Sequence, residues 1–425
     1  MWHEWPKLYD DVDTEALQSD ASNTLIHAGM AFHPEIITHA SEVFIYTSTG
    51  RRILDWTSGQ MSCLIGHGHP EIPSRHQLAK TLTGLLPDGL DKAMFLSTGG
   101  ESNEAALKMA KCFTGKWEIV GLAASWHGMT GAALSAQYHS GRRGHGPMIP
   151  GNHILPAPNA YRSVFRNPDG SYDWDMVDRA SCGSLAAVIM EPILSVGGML
   201  TLPPGYLAAM KAHCSRRGML LIIDEAQTAI GRAGDMFAFE HEGVVPDILT
   251  LSKTLGNGLP LSAVVTSKHI AEVVGHNGFL FLTTHLNDPL PASVGLKVLE
   301  IVVRDNLVAR SRAMGLKLHA GLERLKERYG CIGDARGRGL LAAIEIVKDR
   351  ESKAPAPELG DRLAAKMMEL GVLANLSTIS SFSGIFRIAP PITISEKDLE
   401  LGLGIMEQAF SCTEGSLPHY MIYGS

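Results

Sequence analysis

The sequence is poor in the features that mark several large functional classes. Its six cysteines, Cys63, Cys112, Cys182, Cys214, Cys331 and Cys412, are scattered, with no CxxC pair and no histidine at metal-ligand spacing. That argues against a zinc site or a disulfide scaffold and predicts reduced, mostly buried thiols. No apolar run approaches the roughly 20 residues needed to cross a bilayer, and Met219 to Ile223 is typical of the longest. The opening MWHEWPKLYDDVDTEALQSD lacks a basic segment followed by an apolar one, so neither a secretory signal nor a transit peptide is predicted. The closing MIYGS matches no sorting or prenylation signal. Basic residues number 37 against 44 acidic ones, a formal charge of −7, which leaves no electrostatic footprint for nucleic acid or an anionic membrane. GxxxxGK[ST], an early GxGxxG and HExxH are all missing. A protein of a reducing compartment, the cytoplasm by default, is the expectation.

What is present is a chain of 425 residues with 45% hydrophobic and 19% charged residues and 44 glycines, a composition suited to a large α/β protein of two or three domains. Val43 to Tyr46 and Arg52 to Trp56 read as two strands around a Ser48-Thr49-Gly50 turn. From Lys92 to about Thr284 the apolar runs AMFLS, EIVGLA, LAAVIMEP, MLLIIDE, DILTLS, SAVVTS and FLFLTT alternate with helical patterns. Continuous apolar strands between helices predict a mostly parallel sheet covered on both faces. After about Val302 long charged helices such as KLHAGLERLKERYG take over, with short strands at Leu340 to Ile346 and Gly384 to Ile388. The predicted division is an N-terminal segment, 1–60, packing with the small domain, a large domain, 61–302, and a smaller α+β domain, 303–425.

Several strands end in a polar residue, at Ser97, Glu191, Asp224, Ser252 and Thr283, and ligands of open α/β sheets sit at such carboxyl ends. AMFLSTGGESNEAALKMAK sets a Ser-Thr-Gly-Gly turn between a strand and a helix, which is either an anion site or an ordinary capped turn. Asp224 closes a buried strand and requires a cationic partner unless it caps the next segment. Lys253, beyond the strand DILTLS and beside a glycine-rich loop, is placed either to form a Schiff base or to sit on the surface. Trp126 in SWHGMTG offers an aromatic face, while His127 beside it has no metal-spaced partner. Arg387, in the apolar strand GIFRIAPP, serves either a substrate carboxylate or a structural ion pair. A phosphate cradle, a stacking aromatic, a carboxylate for a ring nitrogen, a lysine for an aldehyde and a carboxylate-binding arginine together meet the requirements of pyridoxal phosphate.

The ordered series STGGESNEAA, SWHGMTG, AVIMEP, IIDEAQT, TLSKTLGNGLPL, TTHLNDPLP and FRIAPP resembles the class III aminotransferases, a family of fold-type I pyridoxal phosphate enzymes. Within it, LDWTSGQMSCLIGHGHPEI and SWHGMTGAA are most similar to the dialkylglycine decarboxylase branch. The resemblance runs from about Ile53 to Leu403. It implies that Lys253 forms the Schiff base with the cofactor, Asp224 pairs with the ring nitrogen, Gln227 lies near the phenolic oxygen and Trp126 covers the ring. It also puts Thr98, Gly99 and Gly100 on the phosphate and has Thr284 reach the phosphate of a neighbouring subunit, in a homodimer or dimer of dimers. Thr284, Leu286 and Asp288 match part of an alkali-metal site for K+ or Na+.

The expected activity is decarboxylating transamination of 2,2-dialkylglycines such as 2-aminoisobutyrate, with pyruvate as amino acceptor. Gln60, a neutral amide, orients the departing carboxylate without the hold of a salt bridge, unless it is only a loop residue after Ser58-Gly59. Arg387 holds the keto-acid carboxylate. Two alternatives stand beside this reading: a non-decarboxylating α- or ω-aminotransferase, and a catalytically impaired paralogue. The second arises because the chain, between Pro70 and Ser97, is about twenty residues shorter than the family pattern, roughly a helix, a strand and a turn. That shortening falls after Glu71 and before Leu78, in a segment that the resemblance places near the subunit interface and substrate entrance and that in dialkylglycine decarboxylases supplies part of the alkali-metal site.

Overall fold

The computed structural model describes residues 37–57, 78–138, 142, 144–159, 161, 181–283, 285–286, 289–377 and 384–414. The chain begins in an antiparallel ribbon, β1 (Ile37–Ser41), β2 (Phe44–Thr47) and β3 (Arg52–Asp55). The turn between β2 and β3 is held by Thr47, whose carbonyl accepts from Gly50 N at 3.0 Å and whose hydroxyl accepts from Arg51 N at 3.3 Å. The strand β1 lacks an apolar pattern and was not predicted; it forms on the edge that β2 offers.

The large region runs α1 (Leu78–Leu85), β4 (Lys92–Leu96), α2 (Gly99–Thr114), β5 (Glu118–Leu122), α3 (Gly131–Ala136), β6 (Asn152–Leu155), β7 (Leu185–Met190) and a short hairpin of β8 (Ile193–Leu194) and β9 (Leu200–Thr201). It continues through α4 (Tyr206–Arg217), β10 (Leu220–Asp224), β11 (Ile248–Leu251), β12 (Ser262–Thr266), α5 (Lys268–His276) and α6 (Pro289–Arg304). Seven strands form one sheet in the order β4-β12-β11-β10-β7-β5-β6, parallel except for β12, which runs antiparallel to both of its neighbours. Every residue of β5, β7, β10, β11 and β12 is buried, as strands covered on both faces require. The edge strand β6, NHIL, was missed because its alternation is weak and Ile154 faces solvent.

One predicted strand is corrected. The described part of FLFLTT, 279–283, forms no strand: Phe279 and Phe281 pack against the apolar cluster of α2, whereas Leu280 and Leu282 are 68% and 75% exposed. The run has the alternation of a strand, but among the described residues no neighbouring backbone completes a ladder with it.

The C-terminal region holds α7 (Leu307–Arg328), β13 (Ile332–Arg338), β14 (Leu341–Ile346), α8 (Pro357–Leu370), β15 (Val372–Leu373), β16 (Asn375–Ser377), β17 (Ile385–Ile388) and α9 (Glu396–Glu414). Four of these strands make an antiparallel sheet, β13-β14-β17-β16, against which α7 and α8 pack. β15 instead joins β3 in parallel, so the N-terminal ribbon becomes a four-stranded sheet with a strand from the C-terminal region. Trp56, fully buried, seats its indole against Gly402 of α9. Among the described residues no helix is long and apolar enough to cross a membrane.

Candidate active site

A cavity of about 360 Å³ opens at the carboxyl ends of β4, β5, β10 and β11. Four sequence segments converge there because each strand delivers its following loop to the same edge. β4 contributes Ser97 to Gly100, β5 contributes Trp126 to Gly128, β10 ends in Asp224, and β11 is followed by Ser252 and Lys253. Thr98, Gly99, Gly100, Trp126, Asp224 and Lys253, all singled out in the sequence, thus line one cavity.

The first segment is shaped by a capping box. Thr98 Oγ1 accepts from Glu101 N at 3.2 Å, and Glu101 Oε2 accepts from Thr98 N at 3.2 Å and Ser97 N at 2.9 Å. The amides of Gly99 and Gly100 then open α2 with no intrahelical acceptor of their own. The packing around them is close as well. Gly128, at φ 127°, approaches so closely that a Cβ on it would lie 2.7 Å from Gly100 Cα, and a Cβ on Gly99 would lie 3.3 Å from Ser252. The loop carrying Gly128 is fixed by buried Gln137, whose Oε1 accepts from His127 N at 2.5 Å and Gly128 N at 3.1 Å.

Asp224 sits in a net of donors. Its Oδ2 accepts from Asn103 Nδ2 at 2.7 Å and lies 2.8 Å from His127 Nδ1, and its Oδ1 accepts from Ala226 N at 3.0 Å. Burial alone would raise this carboxyl, but His127, Ala226 and Asn103 hold it below its ordinary range, so it is ionised. An ionised carboxylate only accepts, so His127 Nδ1 carries the proton; its Nε2 is buried without a partner among the described residues. Asn103 is fixed in turn, giving Nδ2 also to His127 O at 2.7 Å and taking the Thr250 hydroxyl on Oδ1 at 2.7 Å.

Lys253 is pushed below the usual lysine range by burial, against the opposing pull of Asp224 and Glu191 and with a further push from Arg387. Glu191, at the carboxyl end of β7, is buried and raised to about 7; burial dominates, and Asp224 adds to it. Its oxygens accept from Trp126 N at 2.8 Å and Ser195 N at 3.1 Å.

The remaining predicted residues lie around this centre. Gln227 is buried just outside the cavity lining, its Oε1 accepting from the Ser195 hydroxyl at 2.6 Å. Arg387, on β17, is held below its usual range by burial and is acted on by Glu191. Leu286 packs partly buried against the α2 cluster, with its N–H on Thr283 O at 3.2 Å. Gln60, Thr284 and Asp288 lie outside the described residues, as does the segment 71–77 that carries the expected shortening.

Asn103, Ser195 and the pairing of His127 with Asp224 were not anticipated. Asn103 carried a legible signal, since it falls one helical turn beyond Gly99 and therefore on the same face. His127 offers the sequence reader only a metal ligand without a spaced partner, and nothing in the sequence links it to a residue 97 positions away.

Comparison with known proteins points the same way. The family model described as Aminotransferase class-III matches residues 73–410. A protein of Schizosaccharomyces pombe described as an uncharacterized aminotransferase is 47% identical over 430 residues, covering 95% of this chain and 96% of its own. The mitochondrial alanine–glyoxylate aminotransferase 2 homolog 2 of Arabidopsis thaliana is 33% identical over 391 residues, covering 87% and 81%. Among solved structures, a Bacillus anthracis aminotransferase superposes with a TM-score of 0.88 at 27% identity, covering 94% of this chain and 98% of that one. An (S)-enantioselective omega-transaminase from Thermomicrobium roseum gives 0.86 at 28% identity, covering 94% and 99%.

Proposed function

The chain belongs to the class III aminotransferase family, and from that premise we propose that it moves an amino group between a carboxylate-bearing amine and an α-keto acid at the cavity around Lys253. Pyridoxal phosphate is the family's cofactor, and the cavity supports its fit. The Gly99 and Gly100 amides offer a phosphate the start of α2 with no side chain in the way. Ionised Asp224 answers a protonated ring nitrogen, and Trp126 supplies an aromatic face.

On this reading Thr98, Gly99 and Gly100 hold the phosphate and Asp224 keeps the ring nitrogen protonated. Because the Ser195 hydroxyl occupies Gln227 Oε1, the Gln227 amide hydrogens are left to donate toward the phenolic oxygen. Bound there, pyridoxal phosphate supplies an aldehyde that takes up amines and a ring that draws electron density from the bond broken at the substrate's Cα. Lys253 Nζ moves the proton at that carbon. Its lowered pKa leaves more of it as free base near neutral pH, and the residual pull of Asp224 and Glu191 keeps it able to hold the proton between steps. Arg387 orients the substrate carboxylate, and Thr284 serves the neighbouring subunit's phosphate in a homodimer.

The observation that carries the reading is the meeting of Lys253 and ionised Asp224 across one cavity with the start of α2. Loaded with pyridoxal phosphate and given pyruvate and an amino-acid donor, the protein is expected to form alanine. Lys253→Ala is expected to lose at least 100-fold of that rate. Transfer at the parental rate in Lys253→Ala would sink the proposal. A decarboxylating reaction on 2,2-dialkylglycines is a second reading, supported by the Gln60 motif, and K+ or Na+ at Thr284, Leu286 and Asp288 belongs with it.

A further inference from the structure

Arg387 has a neighbour that bears on what it binds. β16 and β17 pair antiparallel with Asn375 directly opposite Arg387, so the two side chains share one face of the sheet. Asn375 Oδ1 accepts from Arg387 Nε at 3.1 Å and from Nη2 at 2.7 Å. Only the amide oxygen can do this, because a guanidinium has no acceptor to offer the amide nitrogen. These are the only hydrogen bonds of Arg387 among the described residues. On the other side of β17 the residue opposite Arg387 is Ala343, which adds no polar group.

A guanidinium has two edges that present parallel N–H pairs, one formed by Nε and Nη2 and one by Nη1 and Nη2. Asn375 takes the first and leaves the second. We propose that Asn375 is a specificity-determining positioning residue, which turns the Nη1–Nη2 edge of Arg387 toward a substrate carboxylate and so selects carboxylate-bearing substrates over carboxylate-free amines and aldehydes. The inference rests on the reading of Arg387 as the carboxylate-binding residue.

The choice of an amide suits this role. An aspartate at the same position would fix the same edge but cancel the charge that a substrate anion needs, whereas a neutral oxygen fixes the plane and leaves the charge. The nearby acid, Glu191, does not take that place. It is buried on the amides of Trp126 and Ser195 and makes no hydrogen bond with Arg387.

The test compares two amino acceptors with the holoenzyme and one fixed donor at saturation, sec-butylamine, which has no carboxylate for Arg387 to hold: pyruvate, which has a carboxylate, and butanal, which has none. In Asn375→Ala the KM for pyruvate is expected to rise roughly tenfold with kcat within about twofold, while butanal kinetics stay unchanged. Asn375→Asp is expected to raise the pyruvate KM further, and Asn375→Gln to restore part of the loss. Melting temperatures of all variants within a few degrees of the parent support the same conclusion. Equal losses with both acceptors, or Asn375→Asp behaving as the parent, would mean that Asn375 only staples β16 to β17, and the inference falls. Arg387→Leu separates the two levels. If it erases the preference for pyruvate while the Asn375 variants do not, the inference alone fails; if it leaves that preference intact, the reading of Arg387 fails with it.

Discussion

At the scale of single residues, the site depends on side chains that hold other side chains in place. Asn103 is one: it links Asp224, the His127 carbonyl and the Thr250 hydroxyl through buried hydrogen bonds. Asn103→Ala would strip one donor from Asp224 and orphan the Thr250 hydroxyl, and each buried unmet partner costs about 1–3 kcal/mol. The expected outcome is a cofactor Kd raised roughly tenfold, read by absorbance during dialysis, since about 1.4 kcal/mol corresponds to a factor of ten. Unchanged cofactor retention would show that His127 and Ala226 suffice to hold Asp224. Glu118 provides a second test, away from the site. Burial alone would raise its carboxyl, but the Ser181 hydroxyl, His153 and the amides of Cys182 and Ser184 hold it at about 2. A carboxyl whose pKa is depressed by folding adds stability above its ordinary value of 4.5, and that stability is lost as pH falls toward 2. Glu118→Gln places an amide nitrogen against donors and is expected to unfold at lower denaturant at pH 7. The gap from the parent should close as pH falls from about 4.5 to about 2, and a gap independent of pH would contradict the assignment.

At the scale of elements, the join between the ribbon and the C-terminal helix α9 is tight at one point. A Cβ on Gly402 would lie 1.8 Å from Trp56 Cζ2, and the chain beyond Trp56 is tied in by Ala389 N on Trp56 O at 2.8 Å. Gly402→Ala should therefore destabilise by about 1–3 kcal/mol through overpacking, although alanine has the higher helix propensity, and equilibrium urea unfolding measures it. A stabilised variant would show that the indole moves aside freely. Elements of this kind also divide what the sequence discloses from what it hides. β7 and β10 were legible because LAAVIM and LLIID are apolar throughout, a pattern that only burial on both faces explains. The start of α2 was legible because T-G-G-E is a capping box written in local order. The strands β1, β13, β15 and β16 were not legible. They are short or polar and exist because a partner strand lies beside them, as β15 does with β3 and β16 with β17. The same reason hid Asn375 and His127, whose importance comes from contacts across 12 and 97 positions of chain.

At the scale of the whole molecule, the question is which bond at the substrate's Cα is broken. The family match over residues 73–410 establishes an aminotransferase and is neutral between loss of a proton and loss of CO2. The two outcomes need the same residues around Asp224 and Lys253 and differ in how the substrate's carboxylate is held beside them. A guanidinium grips a carboxylate through charge and two hydrogen bonds, and that grip must be surrendered as CO2 leaves, which raises the barrier; a neutral amide such as Gln60 surrenders much less. With 2-aminoisobutyrate and pyruvate the decarboxylating reaction yields acetone, CO2 and alanine, one of each per turnover. 2-Aminoisobutyrate has no proton at Cα, so an enzyme limited to proton removal cannot use it at all. CO2 release from 2-aminoisobutyrate, reduced roughly tenfold or more in Gln60→Ala while transfer from L-alanine to a second keto acid is largely kept, is the outcome expected of a decarboxylating enzyme. Transfer from L-alanine without CO2 from 2-aminoisobutyrate would assign the chain to simple amino transfer. A cofactor-loaded protein inert toward both donors would instead favour a catalytically impaired paralogue, despite the meeting of Lys253 and Asp224 in one cavity.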